Sequence, residues 1–210
     1  MKKLVIFGCG GHGREVADVV DAINLMSPTW DLLGLADDNP SDTDIERLRR
    51  TGRRLLQRTD YEALGPGTAF VIGIGSGTTR RAIDARVGKL GWEPVVLVHP
   101  FATIGADVSL GAGTVLCAGV HLTNNIRLRR HVHVNRNSTI GHDGEIGDFV
   151  TIHPLVAVSG GVILGDEVTL GTHSSILQNL TMGERSVAGA ASCVVRNVPE
   201  GTIVKGVPAK

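Results

Sequence analysis

Large aliphatic side chains recur every six residues across the second half of the chain. The series runs from Ile104 through Leu110, Leu116, Leu122, Leu128, Val134, Ile140, Ile146, Ile152, Val158, Leu164, Leu170, Ile176 and Met182 to Val194, broken only by Ala188. A second series lies four residues further on, from Val108, Thr114 and Val120 to Ser192 and Val198, and all its members are small or apolar. No charge falls in the thirty-two slots of the two series, although 20% of the residues are charged. Random scatter would spare that many slots in roughly one chain in a thousand, so the period is a property of the fold. A helix needs apolar residues at spacings of three and four, and a strict six excludes it. Two inward positions in six suit a short strand that turns a corner and repeats. Gly follows the first inward position at 105, 111, 141, 147, 165, 171, 183 and 189, and Gly is the residue that turns a chain without a Cβ clash. Three faces close a triangular coil of about eighteen residues, and the repeats give about five coils.

The first third carries a different pattern. Residues 4–7 form a continuous apolar run, which reads as a buried strand. Gly8-Cys9-Gly10-Gly11-His12-Gly13 follows, and residues 14–23 then place Val16, Val19, Val20 and Ile23 on one helical face. Strand, glycine loop and helix N-terminus together offer close backbone approach and free N–H groups to a phosphate. Gly8, Gly10 and Gly13 also match the dinucleotide spacing, a weak signal alone. A second strand at 32–35 ends in Asp37-Asp38, where an acidic side chain meets a ribose or a base edge. Residues 69–74 read as a third strand running into Gly75, residues 79–90 as a helix and residues 95–98 as a fourth strand. Alternating strands and helices predict a small parallel α/β domain over residues 1–98, with the coil domain over 99–210. The first is half the size of a full doubly wound dinucleotide domain. A mononucleotide or nucleotide sugar is therefore favoured over NAD, and a glycine turn without a ligand is the bland alternative.

Composition narrows the partners. The formal net charge is zero, which gives no support to nucleic acid or an anionic membrane. The basic tracts 47–54 and 127–130 read as solvated faces. Cys9, Cys117 and Cys193 are odd in number and lack metal-ligand spacing, so free thiols in a reducing cytoplasm are expected. The apolar run after Lys2-Lys3 is too short for a signal peptide, and no stretch is long enough to span a bilayer.

The candidate chemistry sits where the hexad pattern is interrupted. Asn135 follows Val134, and His142-Asp143 follows Ile140-Gly141. An imidazole near neutral pH can take the proton of an amine or hydroxyl attacking a thioester. A carboxylate beside it can hold the tautomer, but adjacent strand residues face opposite ways, so Asp143 can assist His142 only at a corner. Residues eighteen apart should be neighbours, which pairs Asn135 with His153 and leaves the other histidines unstacked. A solvated corner histidine is the bland reading of any one of them.

Taken together, several motifs resemble the hexapeptide-repeat sugar acyltransferases of the sialic-acid O-acetyltransferase family, a group that includes bacterial nucleotide-amino-sugar N-acetyltransferases. They are the Gly8–Gly13 loop, Asp37-Asp38, Gly73-x-Gly75, His99-Pro100, Ile140-Gly141-His142-Asp143, Ile146-Gly147-Asp148-Phe149 and the terminal Gly206-Val207-Pro208-Ala209-Lys210. The resemblance spans nearly the whole chain. It implies a Rossmann-like α/β domain followed by a left-handed parallel β-helix, a hand opposite to that of ordinary crossovers. It implies His142 as catalytic base with Asp143 beside it, and acetyl-CoA as co-substrate with no metal. It implies Gly8, Gly10, Gly11, His12, Gly13, Asp37, Asp38, Gly75 and Asn135 as acceptor contacts. It implies Thr151, Gly160, Gly171, Gly189, Ala190 and Lys210 along the acetyl-CoA groove. Some relatives carry a second His at the position of Thr151. The resemblance further implies a homotrimer with active sites between subunits.

The favoured expectation is a cytoplasmic acetyltransferase acting on the amino group of a nucleotide-linked amino sugar by direct transfer. O-acetylation of a sugar hydroxyl remains open. A zinc enzyme of the γ-carbonic-anhydrase type needs histidines five apart, and none are. A non-catalytic nucleotide-sugar-binding trimer is a further alternative.

Overall fold

A computed structural model describes every residue, Met1–Lys210. It divides into two compact units, Met1–Pro100 and Phe101–Lys210.

The first unit is built on β1 (Lys2–Phe7), whose residues Leu4 to Phe7 are all buried. Then come α1 (Gly11–Met26), β2 (Trp30–Ala36), α2 (Asp42–Arg50), β3 (Leu55–Leu56), α3 (Arg58–Glu62), β4 (Ala69–Ile72), α4 (Gly77–Val87) and β5 (Glu93–Pro94). The five strands form one parallel sheet in the order β3-β2-β1-β4-β5. The chain leaves β1 to one side and later returns to its other side, so the winding reverses between β1 and β4. Helix α1 buries Val16, Val19 and Val20 of the stripe that its spacing predicts, with Ala17 beside them, and leaves Ile23 half-buried. Phe7 anchors an aromatic cluster, with ring centroids 5.2 Å from Tyr61, 6.0 Å from Phe70 and 6.1 Å from Trp92. Tyr61 and Phe70 meet Phe7 edge-on, at 80° and 85°, which suits the quadrupoles of the rings.

The structure corrects the expectation for residues 95–98. The last strand of the sheet is Glu93–Pro94, and Leu97–Val98 is a separate strand outside it. Two further helices escaped the pattern because they are short and polar. In α2 only Leu48 is buried, and Ser41 caps the N-terminus by accepting from the Asp44 N–H at 3.1 Å. Helix α3 begins with a reciprocal capping box between Gln57 and Asp60.

The second unit is a parallel β-helix. Its two- and three-residue strands pair with strands eighteen residues on, as in Leu122↔Ile140↔Val158↔Ile176↔Val194. Both aliphatic series point inward. From Leu116 to Val194 every member of the first series is buried, and Val120, Ile126, Val132, Val150, Val156, Val162 and Val168 of the second fill the rest of the core.

The corners are made differently from the sequence expectation. None of the eight glycines that follow the inward aliphatic has a positive φ. They are small because the next coil lies against them: a Cβ on Gly141 would sit 2.6 Å from Gly160 N, and one on Gly147 2.7 Å from Asp166 N. The left-handed residue lies two positions later, at Asp107, Asn125, His131, Asn137, Asp143, Phe149, Leu155, Glu167, His173, Asn179, Arg185 and Ala191. Such a backbone disfavours most side chains. The ladder holds it in place, as where the Asp143 N–H donates to Asn124 O at 3.1 Å and the Gly161 N–H to His142 O at 2.8 Å.

Candidate active site and sheet-end cleft

His142 follows the strand Thr139–Ile140 and Gly141, and Asp143 is the left-handed residue of that corner, with φ 61°. The corner meets the condition that the sequence set for the pair, since alternation does not apply there. His142 Nδ1 lies 2.7 Å from Asp143 Oδ2. An ionised carboxylate only accepts, so Nδ1 carries the hydrogen and donates, and in the neutral ring the lone pair is then on Nε2. The hydrogen bond from His142, joined by one from Asn125, holds the Asp143 carboxyl below the usual carboxylate range. The His142 side chain is 64% exposed. Its ring lies over Gly160, where an added Cβ would come 2.6 Å from both Cε1 and Nε2. Gly160 therefore leaves the space that the imidazole occupies. The corner can accept a proton at Nε2 while the carboxylate fixes the ring.

The other coil residues are dispersed. Asn135 is buried, and its Nδ2 donates to Ile152 O at 2.9 Å. His153 directly follows that strand, so the register brings Asn135 and His153 together as the spacing predicts. Thr151 is buried and pairs in register with the buried His133. His131 stacks on Phe149 with centroids 5.2 Å apart, and His121 Nδ1 lies 2.6 Å from Thr103 Oγ1. No group of three or more His, Cys, Asp or Glu side chains could hold a metal ion. Gly171 lies against the next coil, where a Cβ would be 2.6 Å from Ala190 N. A Cβ on Gly189 would meet that of Lys205 at 3.1 Å, and the Lys210 N–H donates to Lys205 O at 3.1 Å.

A separate cleft of 420 Å³ opens in the first unit, at the carboxyl ends of β1, β2 and β4. Phe7 and Gly8 line it from β1, Asp37, Asp38 and Asn39 from the loop after β2, and Ile74 from the loop after β4. Helix α4 adds Thr79, Ile83 and Arg86. Ligands of parallel α/β sheets bind where the winding reverses, and this cleft occupies that place.

The glycine loop beside the cleft owes its shape to backbone contact. A Cβ on Gly13 would overlap Gly8 O, and one on Gly73 would sit 2.5 Å from Gly13 Cα. No side chain caps the N-terminus of α1. Asp37 is tied to the loop, accepting from the Cys9 N–H at 2.9 Å and the Asn39 N–H at 3.0 Å. Burial and the nearby Asp37 push the Cys9 thiol up to about 12, so it stays protonated and inert near neutrality. Asp38 Oδ2 accepts from Arg86 Nη1 at 2.6 Å. Arg14 donates to Cys9 O at 2.8 Å and to Asp44 Oδ1 at 2.5 Å, pinning the loop to α2.

Of the residues that the resemblance assigns to the acceptor, the cleft gathers Gly8, Asp37 and Asp38. Gly10, Gly11, His12, Gly13, Gly75 and Asn135 are not among its lining residues. His12 Nδ1 lies 3.3 Å from Glu15 Oε2. Gly75 O accepts from Arg80 Nη1 at 2.9 Å, and Arg80 is fully buried beneath the Gly73–Gly75 turn. Sequence reasoning missed Arg80, Arg86 and Asn39. Only the first arginine has a sequence signal, a charge on the apolar side of a helix.

Residues 3–87 match the family described as PglD N-terminal domain. The acetyltransferase domain of PglB from Neisseria gonorrhoeae FA1090 superposes with a TM-score of 0.88 at 30% identity, covering 100% of this chain and 99% of that one. That domain has also been solved in complex with acetyl coenzyme A. PerB from Caulobacter crescentus, solved in complex with CoA and GDP-perosamine, superposes with a TM-score of 0.82 at 25% identity, covering 100% and 97%. A 2,3,4,5-tetrahydropyridine-2,6-dicarboxylate N-acetyltransferase of Clostridium perfringens is 44% identical over 48 residues, which are 23% of this chain and 20% of the relative. The match thus spans about a fifth of the length of that curated relative. With a PglD-type N-terminal unit, a left-handed parallel β-helix and a full-length PglB-like match, the chain belongs to the hexapeptide-repeat sugar acetyltransferases.

Proposed function

We propose that the protein transfers an acetyl group from acetyl-CoA to the amino group of a nucleotide-linked amino sugar, with His142 as general base. The observation that carries this is the His142–Asp143 pair, an exposed imidazole whose Nδ1–H is committed to a carboxylate at 2.7 Å. Nε2 takes a proton from the attacking amine as nitrogen adds to the thioester carbonyl. The tetrahedral intermediate collapses, the C–S bond breaks, and the imidazolium returns the proton to the CoA thiolate. An amide and free CoA result, and no acyl-enzyme forms. Backbone N–H groups of the coil stabilise the oxyanion.

The cleft at the strand ends is the proposed nucleotide site. Its support is the uncapped N-terminus of α1 beside it, the acidic Asp37-Asp38 step and the GDP-sugar complex of the similar PerB. Gly160, Gly171, Gly189, Ala190, Thr151 and Lys210 are proposed to line the acetyl-CoA path, with Asn135 at the sugar. A homotrimer with coils side by side would shelter that path. Exposed apolar side chains on the coil, Ile163 at 48% and Ile203 at 69%, support such packing.

The test is acetyl-CoA-dependent thiol release with UDP-, GDP- and TDP-linked amino sugars, each beside its N-acetylated and hydroxyl counterparts. Release with one amino sugar and none with its N-acetylated form is the expected result. Release only with hydroxyl sugars would replace the reading by O-acetylation. Silence with all of them would remove nucleotide sugars as acceptors.

A further inference from the structure

The Asp143 carboxylate has a second partner that the family motifs do not mark. Asn125 lies eighteen residues earlier, at the same corner one coil back, and its Nδ2 donates to Asp143 Oδ1 at 2.6 Å. The other oxygen, Oδ2, faces His142 Nδ1 at 2.7 Å. The two ends of one carboxylate are thus held by two different side chains. We propose that Asn125 is a positioning residue of the acyl-transfer site, bracing Asp143 so that Asp143 can fix the tautomer and plane of the His142 imidazole. This rests on His142 being the base proposed above.

The corner itself does not demand asparagine. Asn125 has φ 52°, but equivalent left-handed corners hold Phe149, Leu155, Glu167, Arg185 and Ala191. The neighbours in its column also leave Asn125 as the brace. One coil further back Asp107 is engaged by Arg127, whose Nη2 donates to both carboxylate oxygens at 2.9 and 3.0 Å. That carboxylate therefore has its own cation. One coil forward the corner residue is Gly161, which offers no side chain. Glu145, two residues beyond Asp143, is in register with Arg127. A carboxylate on an exposed corner swings freely unless both oxygens are bound, and a ring misplaced by an ångström loses rate steeply.

Asn125→Gly removes the amide without backbone strain, since glycine accepts a positive φ. Asn125→Asp keeps the shape and replaces the donor with an acceptor, in a residue type already present at Asp107 and Asp143. Imidazole nitrogen-15 NMR of the full chain, with His142 assigned by its loss in His142→Gln, reads the tautomer without any substrate. The expected spectrum shows Nδ1–H for His142 in the wild type and a shift toward the Nε2–H form of free imidazole in both variants. Turnover should then fall on the order of ten- to a hundredfold with both KM values unchanged. Adding Asn125→Gly to Asp143→Ala should cost nothing more. An unchanged His142 tautomer in both variants, or full additivity with Asp143→Ala, would overturn the proposal. A wild type with the expected tautomer and no acetyl transfer would instead overturn the proposed function and leave the brace standing.

Discussion

The two units meet their tasks with opposite materials. In the α/β unit the loop beside the cleft is set by backbone against backbone: Gly8, Gly13 and Gly73 touch where no Cβ fits. In the β-helix the backbone is a nearly uniform ladder, and the proposed chemistry rests on side chains placed at one corner of it. In the proposed function, recognition is thus spread over a shaped surface, whereas catalysis is concentrated on His142 and its partners. A substitution in the first unit should change which molecule is held. A substitution at the corner should change how fast it reacts.

The largest effect tests the corner. His142→Ala should lower turnover by about 10²- to 10⁴-fold while both ligands still bind, as shown by kinetics beside calorimetric titration. Gly160→Ala comes next. Its Cβ would meet the far end of the His142 ring and not a backbone atom, so the ring shifts and the fold does not. Turnover should fall on the order of ten- to a hundredfold with an unchanged melting temperature. A large drop in melting temperature would mean that Gly160 serves coil packing instead.

The cleft predicts the converse. Asp37→Ala removes the acceptor of the Cys9 and Asn39 N–H groups and should raise the KM for the nucleotide sugar by about tenfold, leaving that for acetyl-CoA unchanged. An unchanged acceptor KM would separate Asp37 from the ligand. The smallest effect concerns the clamp between α1 and α2. Hydrogen bonds from Ser41 and Arg14 depress the Asp44 carboxyl below its usual range. Its contribution is present above the unfolded carboxylate range and lost as pH falls through the depressed value. Asp44→Asn should therefore destabilise the protein near neutrality by at most about 1 kcal/mol, and acid titration followed by circular dichroism should show the difference vanish at low pH.

The contrast also explains what the sequence disclosed. The coil was legible because a sixfold repeat makes each exception visible, and His142-Asp143 stood out against Ile140-Gly141. The same eighteen-residue step that joins Asn135 to His153 leads from Asp143 to Asn125, so the brace was within reach of the pattern. The role of the repeat glycines was not. Close approach and left-handed turning both favour glycine, and only the structure shows the turn two residues later. In the α/β unit the strand–loop–helix start was clear from Leu4 to Ile23, but α2 and α3 lack an apolar stripe. Arg86 joined the cleft through tertiary packing of α4, which no local spacing encodes.

The most direct test of this division of labour compares one amino sugar with and without its nucleotide. Acetyl-CoA-dependent transfer should show a kcat/KM higher by orders of magnitude for the nucleotide-linked form, and Asp37→Ala should erode that preference through KM. Equal kcat/KM for the free and nucleotide-linked sugars would contradict the account, since the cleft would then contribute nothing to the acceptor.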